Sequence, residues 1–97
     1  MLIVWLPDAS VEKDELLKYI SEHNLLAAFG VDDHIRNQVA QLVEFPFLGR
    51  KGRISDTFEL VISQTPYIVV YRIFEQEIQI LHIFHSSRDW PLKRRYH

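Results

Sequence analysis

From Leu2 to Leu6 the chain is uniformly apolar, and Pro7 then interrupts it; a short unbroken apolar run closed by proline predicts a buried strand followed by a break. The pattern then changes. Ala9, Leu16, Leu17 and Ile20 return on roughly one side of a helical period, with Asp8 or Ser10 able to cap the first turn through a side-chain oxygen. Glu12, Asp14 and Glu15 in the early turns suit the positive end of the helix dipole. Ala28, Val31, Ile35, Val39 and Leu42 recur at spacings of three and four, so a second helix is expected from near Asn24 to about Glu44. Gly30 weakens its first turns without excluding it. Two helices joined so closely are expected to pack antiparallel.

Phe45, Pro46 and Phe47 end the helical pattern, and Gly49 to Arg53 reads as a glycine-punctuated basic loop. Beyond it the period shortens. Phe58–Ser63, Tyr67–Phe74 and Ile78–Phe84 are rich in β-branched and aromatic residues and are separated by short polar breaks, which predicts three strands in an antiparallel meander. The order is β-α-α-β-β-β. A helical hairpin packed on one face of an antiparallel sheet buries the apolar stripes of both layers, an α+β architecture.

Ninety-seven residues suffice for one core, so residues 1–97 are expected to form a single domain. A 47% hydrophobic share beside 25% charged residues belongs to a folded chain rather than a disordered one. Cysteine is absent, which removes disulfides and thiolate metal sites and suits a reducing compartment. The apolar start lacks a basic leader, and no run approaches the roughly 18 residues that span a bilayer, so a cytoplasmic protein without membrane partners is expected. The net charge of -2 hides an asymmetry: residues 1–45 carry eight acidic and three basic side chains, residues 46–97 five acidic and eight basic. The second half could face phosphate or an acidic partner, or the difference could be ordinary solvated surface.

Several strings then point to a family. Phe45-Pro46-Phe47-Leu48-Gly49-Arg50-Lys51-Gly52-Arg53 is similar to the segment that follows the helical hairpin in many RelE/ParE superfamily toxins. Glu59-Leu60-Val61 and Pro66-Tyr67-Ile68-Val69-Val70-Tyr71-Arg72 resemble that family's core strands, and His85 with Arg88-Asp89-Trp90-Pro91 resembles its closing signature. The resemblance covers essentially the whole chain. It implies the toxin of a type II toxin–antitoxin system, held inactive in a hetero-oligomer with a cognate antitoxin. Its target would be ribosome-bound mRNA, cleaved without metal, or DNA gyrase, poisoned by protein binding alone; a decayed toxin would bind only antitoxin. Where many members carry Gly-Thr-Arg before the glutamate, this chain has Asp56-Thr57-Phe58, and its acidic net charge differs from the strongly basic ribonuclease branch.

Cleavage of RNA needs proton transfer at the 2′- and 5′-oxygens and cationic stabilisation of the phosphorane. His85 could move protons, and Arg53 and Arg72 could clamp phosphate. Arg72, in an otherwise apolar strand, could instead form a structural ion pair with Glu59. His85 could simply anchor a strand end. Arg50, Lys51, Arg88, Lys93 and Arg94 are the further candidates for RNA or target binding, with solvated loop and tail as the plainer reading. His82 and His85, three apart on a strand, point to opposite faces and cannot share an ion, so no metal or cofactor is expected. Trp90 and Pro91 read as packing residues.

Overall fold

A computed structural model describes residues 1–88 and residue 90. Strand β1 (Leu2–Trp5) leads into helices α1 (Pro7–His23) and α2 (Leu25–Ala40), the latter extended by a single 3-10 turn at Gln41–Val43. Strands β2 (Arg50–Lys51), β3 (Phe58–Val61), β4 (Tyr67–Phe74) and β5 (Glu77–His85) follow. They form one sheet in the order β1-β5-β4-β3-β2. Among the described residues no helix is long and apolar enough to cross a membrane.

The element order matches the pattern of apolar positions, with two refinements and one correction. First, the sheet is mixed: β1 lies parallel to β5, with Ile3 opposite Ile78 and Trp5 opposite Ile80, while every other pairing in the sheet is antiparallel. Second, the basic loop contributes two residues of strand, Arg50 opposite Glu59 and Lys51 opposite Phe58. The correction concerns the start of α1. Neither Asp8 nor Ser10 caps it; Leu6 is the N-cap with no side-chain bond, and Pro7 begins the helix instead of merely ending the strand. Proline suits that position because its missing N–H would have had no helical partner. Asn24, by contrast, does cap α2, accepting the Ala27 N–H at 3.1 Å.

One face of the sheet carries the main core. Ile35 and Val39 from α2, Leu42 from the 3-10 turn and Ala9 from α1 pack on Leu60, Ile62, Val69, Tyr71, Ile78, Ile80 and Ile83. The other face holds a smaller cluster of Ile68, Val70 and Phe84, with Leu81 and Trp90 against it. Strand β4 is thus buried on both sides from Tyr67 to Tyr71, which accounts for its unbroken apolar run. A bulge fixes which residues of β5 face which way. Ile80 lies opposite Tyr71 and His82 opposite Val70, so Leu81 is the extra residue, and Ile80 and Ile83 both turn to the helices although three positions apart.

Tyr71 ties this core to the connection between α2 and β2. Its hydroxyl donates to the Pro46 carbonyl at 2.7 Å and accepts the Gly49 N–H at 2.9 Å. Glycine is required there, since a Cβ on residue 49 would fall 2.9 Å from the tyrosine ring, its hydroxyl and the Glu59 carbonyl. Phe58 stacks on the same ring at 5.4 Å, and Phe47 meets Phe58 edge-on. Replacing Tyr71 with Phe leaves two backbone groups without their partner and is expected to cost about 1–3 kcal/mol in a denaturant titration. Burial raises the Tyr71 hydroxyl above its ordinary value of 10.0, opposed by the Gly49 bond. The folded chain therefore holds this proton more tightly than the unfolded one. Stability should be complete below about pH 10 and drain as pH rises toward the raised folded value, and Tyr71→Phe should flatten that alkaline slope.

Candidate functional site

Strand parity divides the expected site residues between the two faces of the sheet. Glu59 pairs with Val70 and Arg50 with Glu59, so both belong to the face opposite the helices. Arg72, two residues beyond Val70 and opposite Gln79, shares that face. His85 does not. It lies opposite Tyr67, whose ring it meets edge-on at 5.5 Å, and Tyr67 belongs to the helix-side core.

The face away from the helices is organised by one buried carboxylate. Glu59 is only 2% exposed. Its Oε1 accepts Arg50 Nη2 at 3.1 Å and lies 3.5 Å from Arg53 Nη2, while its Oε2 accepts the Arg53 backbone N–H at 3.0 Å. A carboxylate so enclosed is tolerable because two cations and a fixed N–H replace its water. The arginines keep much of their surface, with side chains 55% and 45% exposed. Arg53 continues across the face: its Nη1 donates to the Trp90 carbonyl at 3.1 Å, and its guanidinium lies 5.8 Å from the Phe84 ring centre. Trp90 stacks on Phe84 at 4.9 Å with the rings 14° from parallel, and packs against His82.

Arg72 makes a second arginine–aromatic pair farther along β4. Its Nε donates to Gln79 Oε1 at 2.7 Å, and its guanidinium stands 5.1 Å from the Phe74 ring centre. The ion pair with Glu59 that the sequence allowed is not formed, because Arg50 and Arg53 occupy that carboxylate. Ile68, opposite Phe84, lies four residues from Arg72, so the two arginine–aromatic pairs stand about 13 Å apart along the strand. Both offer a charged plane beside an apolar ring, a surface suited to acidic or aromatic groups of a partner.

On the other face, His85 Nδ1 accepts the Ser87 N–H at 3.1 Å and lies 2.7 Å from the Ser87 hydroxyl. A backbone N–H can only donate, so the ring proton belongs on Nε2. Arg88 is exposed, and its N–H closes the turn on the His85 carbonyl. Burial pushes the Tyr67 hydroxyl up, Tyr19 adds to that push and Arg88 opposes it. Lys51 pairs with Phe58, so it faces away from the Glu59 cluster. Lys93 and Arg94 lie outside the described residues. The structure therefore brings Arg50 and Arg53 together, sets Arg72 on the same face, and separates His85 from all three by the thickness of the sheet.

Two side chains that pattern reading passed over complete the picture. Glu12 from α1 accepts the Ile83 N–H at 3.1 Å and meets His82 Nδ1 at 3.2 Å, closing the edge of β5 where β1 has ended. Gln38 from α2 does the same at β3. Its amide accepts the Ser63 N–H at 2.7 Å and donates to the Ser63 carbonyl at 3.2 Å. Neither stands out in the sequence, because each is an ordinary polar residue on a helix.

The family model described as ParE toxin of type II toxin–antitoxin system, parDE, matches residues 3–90. A curated candidate toxin of Sinorhizobium fredii, Y4kP, is 39% identical over 89 residues, covering 92% of each chain. A solved chain titled as the chromosomal ParDE system from P. aeruginosa superposes with a TM-score of 0.79 at 24% identity, over 88% of this chain and 95% of that one. At that identity the likeness is one of fold.

Glu59→Ala is expected to release both arginines and the Arg53 N–H, costing about 2–3 kcal/mol in a urea titration, since hydrogen bonds to charged groups contribute more than neutral ones. Arg53→Ala should leave Trp90 less firmly held, read as faster quenching of one of the two tryptophans by acrylamide.

Proposed function

The chain belongs to the ParE toxin family and is the toxin of a ParDE-type toxin–antitoxin system, and on that premise we propose that it arrests growth by binding a protein target, DNA gyrase, without catalysing a reaction of its own. The observation that carries this reading is the separation of His85 from Arg50, Arg53 and Arg72. Cleavage of ribosome-bound mRNA would need a proton-transferring group and phosphate-binding cations within reach of one scissile bond. A histidine with its Nδ1 engaged by Ser87 on the helix side of the sheet, and arginines on the other, do not meet around a common phosphorus.

A binding mechanism makes fewer demands. It needs a preorganised surface with anchors that stay in place when the target arrives. Arg53, held by Glu59 and by the Trp90 carbonyl beside Phe84, is such an anchor, and Arg72 over Phe74 is a second. In this reading Arg50, Arg53 and Arg72 contact the target, and Arg50 and Arg53 are positioned by Glu59. His85 and Arg88 hold the end of β5 and take no part in chemistry. The cognate antitoxin keeps the toxin in an inactive hetero-oligomer.

Induction of the chain without its antitoxin should produce gyrase-dependent DNA breaks and leave early protein synthesis normal in a pulse-labelling experiment. Cleaved mRNA on purified ribosomes would sink the proposal. His85→Gln should remain toxic, whereas Arg53→Glu and Arg72→Glu should each weaken target binding by roughly 30-fold or more, the scale of an interface anchor. Loss of toxicity in His85→Gln with normal folding would count against a non-catalytic mechanism.

A further inference from the structure

We infer that two copies of this chain pair through the outer edge of β1, antiparallel and about a two-fold axis at Val4, so that their sheets run on as one. The inference is independent of which target the toxin attacks. Leu2 and Leu6 donate their N–H groups to Gln76 and Ile80, so the backbone groups of Leu2, Val4 and Leu6 face β5 and those of Ile3 and Trp5 face outward. Among the described residues nothing bonds to these outward groups. Natural sheets blunt an open edge with charge, proline, a bulge or a cover. The far edge has Arg50–Lys51 and the Gln38 amide, and Glu12 covers β5 beyond β1, but Leu2–Trp5 carries none of these devices.

The strand is self-complementary in this register. With Val4 opposite Val4 of the second copy, Ile3 of each chain faces Trp5 of the other, and each such pair exchanges both of its N–H···O bonds. The side chains agree. Ile3 and Trp5 are partly buried on the helix side, where a branched side chain beside an aromatic ring makes a favourable cross-strand pair. Leu2, 64% exposed, meets Leu6 of the second copy on the face away from the helices. The strand holds no charge, so no like charges meet within it; Lys13 stands over the Trp5 ring from α1, above the plane of pairing. An acidic or basic partner finds no counter-charge on this edge, whereas a second copy supplies its match.

Paired in this way, the copies share one row across the face away from the helices: Arg72, Gln79 and Val4, then Val4, Gln79 and Arg72 of the second copy. At about 4.8 Å per strand the two Arg72 backbones stand about 24 Å apart and on the same side, so the dimer presents its arginine face twice. A strand of four residues is a small contact beside a standard interface, so the dimer is expected to dissociate at roughly 0.1 mM.

Sedimentation equilibrium of the isolated chain from about 10 µM to about 1 mM tests the pairing, together with amide exchange read by NMR at both ends of that range. The mass should rise from one copy toward two. The Ile3 and Trp5 amides should exchange roughly fourfold more slowly at the upper end, as the monomer falls from most of the chain to about a fifth of it. Val4→Lys and Val4→Glu should each stay single, because like charges would meet at the axis, and mixing the two should restore the pair. A single-copy mass up to about 1 mM would overturn the inference, and so would a dimer that survives Val4→Lys or leaves the Ile3 and Trp5 amides unprotected. Protection of those amides only when the antitoxin is bound would overturn it as well, assigning the edge to that partner. The comparison on the unaltered chain stands even if the charged variants fail to fold.

Discussion

Strand β4 is the constraint from which the rest of this structure follows. Its residues from Tyr67 to Tyr71 are buried on both faces, so every neighbour must commit to one side of the sheet or the other. Tyr67, Val69 and Tyr71 take the helical hairpin, and Ile68 and Val70 take Phe84 and Trp90. A shift of register by one residue would exchange these two sets and expose both cores, which makes the register costly to change. Functional residues inherit the same division. His85 and Arg72 sit on opposite sides for the same reason that Tyr67 and Val70 do.

The bulge at Leu81 shows how a single extra residue sets the limits of that inheritance. Without it, Ile80 and Ile83 could not both reach the helix-side core, since three residues along an unbroken strand reverse the side-chain direction. With it, the first half of β5 keeps register with β1, and the second half leaves that parallel pairing where β1 ends. Glu12 then closes the exposed Ile83 N–H. Together with Gln38 at Ser63, this gives the sheet a helical side chain standing in for a missing strand at each edge. Such side-chain covers keep an exposed edge from recruiting another copy.

Much of this was legible in the sequence and some was not, for identifiable reasons. The helix faces were readable because Ile35, Val39 and Leu42 repeat at a spacing that only a helix satisfies, and all three are buried. Strands β3 to β5 were readable from β-branched runs set between turns, and the similarity of strings such as Pro66 to Arg72 to toxin sequences agreed with the matched family. The parallel pairing of β1 was hidden, since an apolar run of four residues carries no direction. The two-residue strand at Arg50–Lys51 was hidden by its polarity, as nothing in Gly-Arg-Lys-Gly suggests pairing. Arg72 reads as a charge in need of a partner, with Glu59 as one candidate, but whether that carboxylate takes Arg72 or the loop arginines depends on how the chain turns at 52–57. There Gly52 and Thr57 approach so closely that a Cβ on residue 52 would collide with the threonine hydroxyl. The placement of His85 was in principle available from parity, but only after the register with Tyr67 was known.

Glu59 joins the outer edge of the sheet to the face away from the helices. The carboxylate orients Arg53 toward Phe84 and Trp90 on the face away from the helices, and through Oε1 it also fixes Arg50 on the two-residue strand at the sheet's outer edge. A ligand carboxylate that draws on Arg50 therefore competes, through a shared oxygen, with the arrangement that holds Arg53. Such a carboxylate weakens the hold on Arg53 without touching it, because both cations answer to one buried anion. Coupling of this kind requires no movement of β4, only a redistribution of hydrogen bonds around Glu59, and the double-mutant cycle of Arg50 with Arg53 measures its size directly.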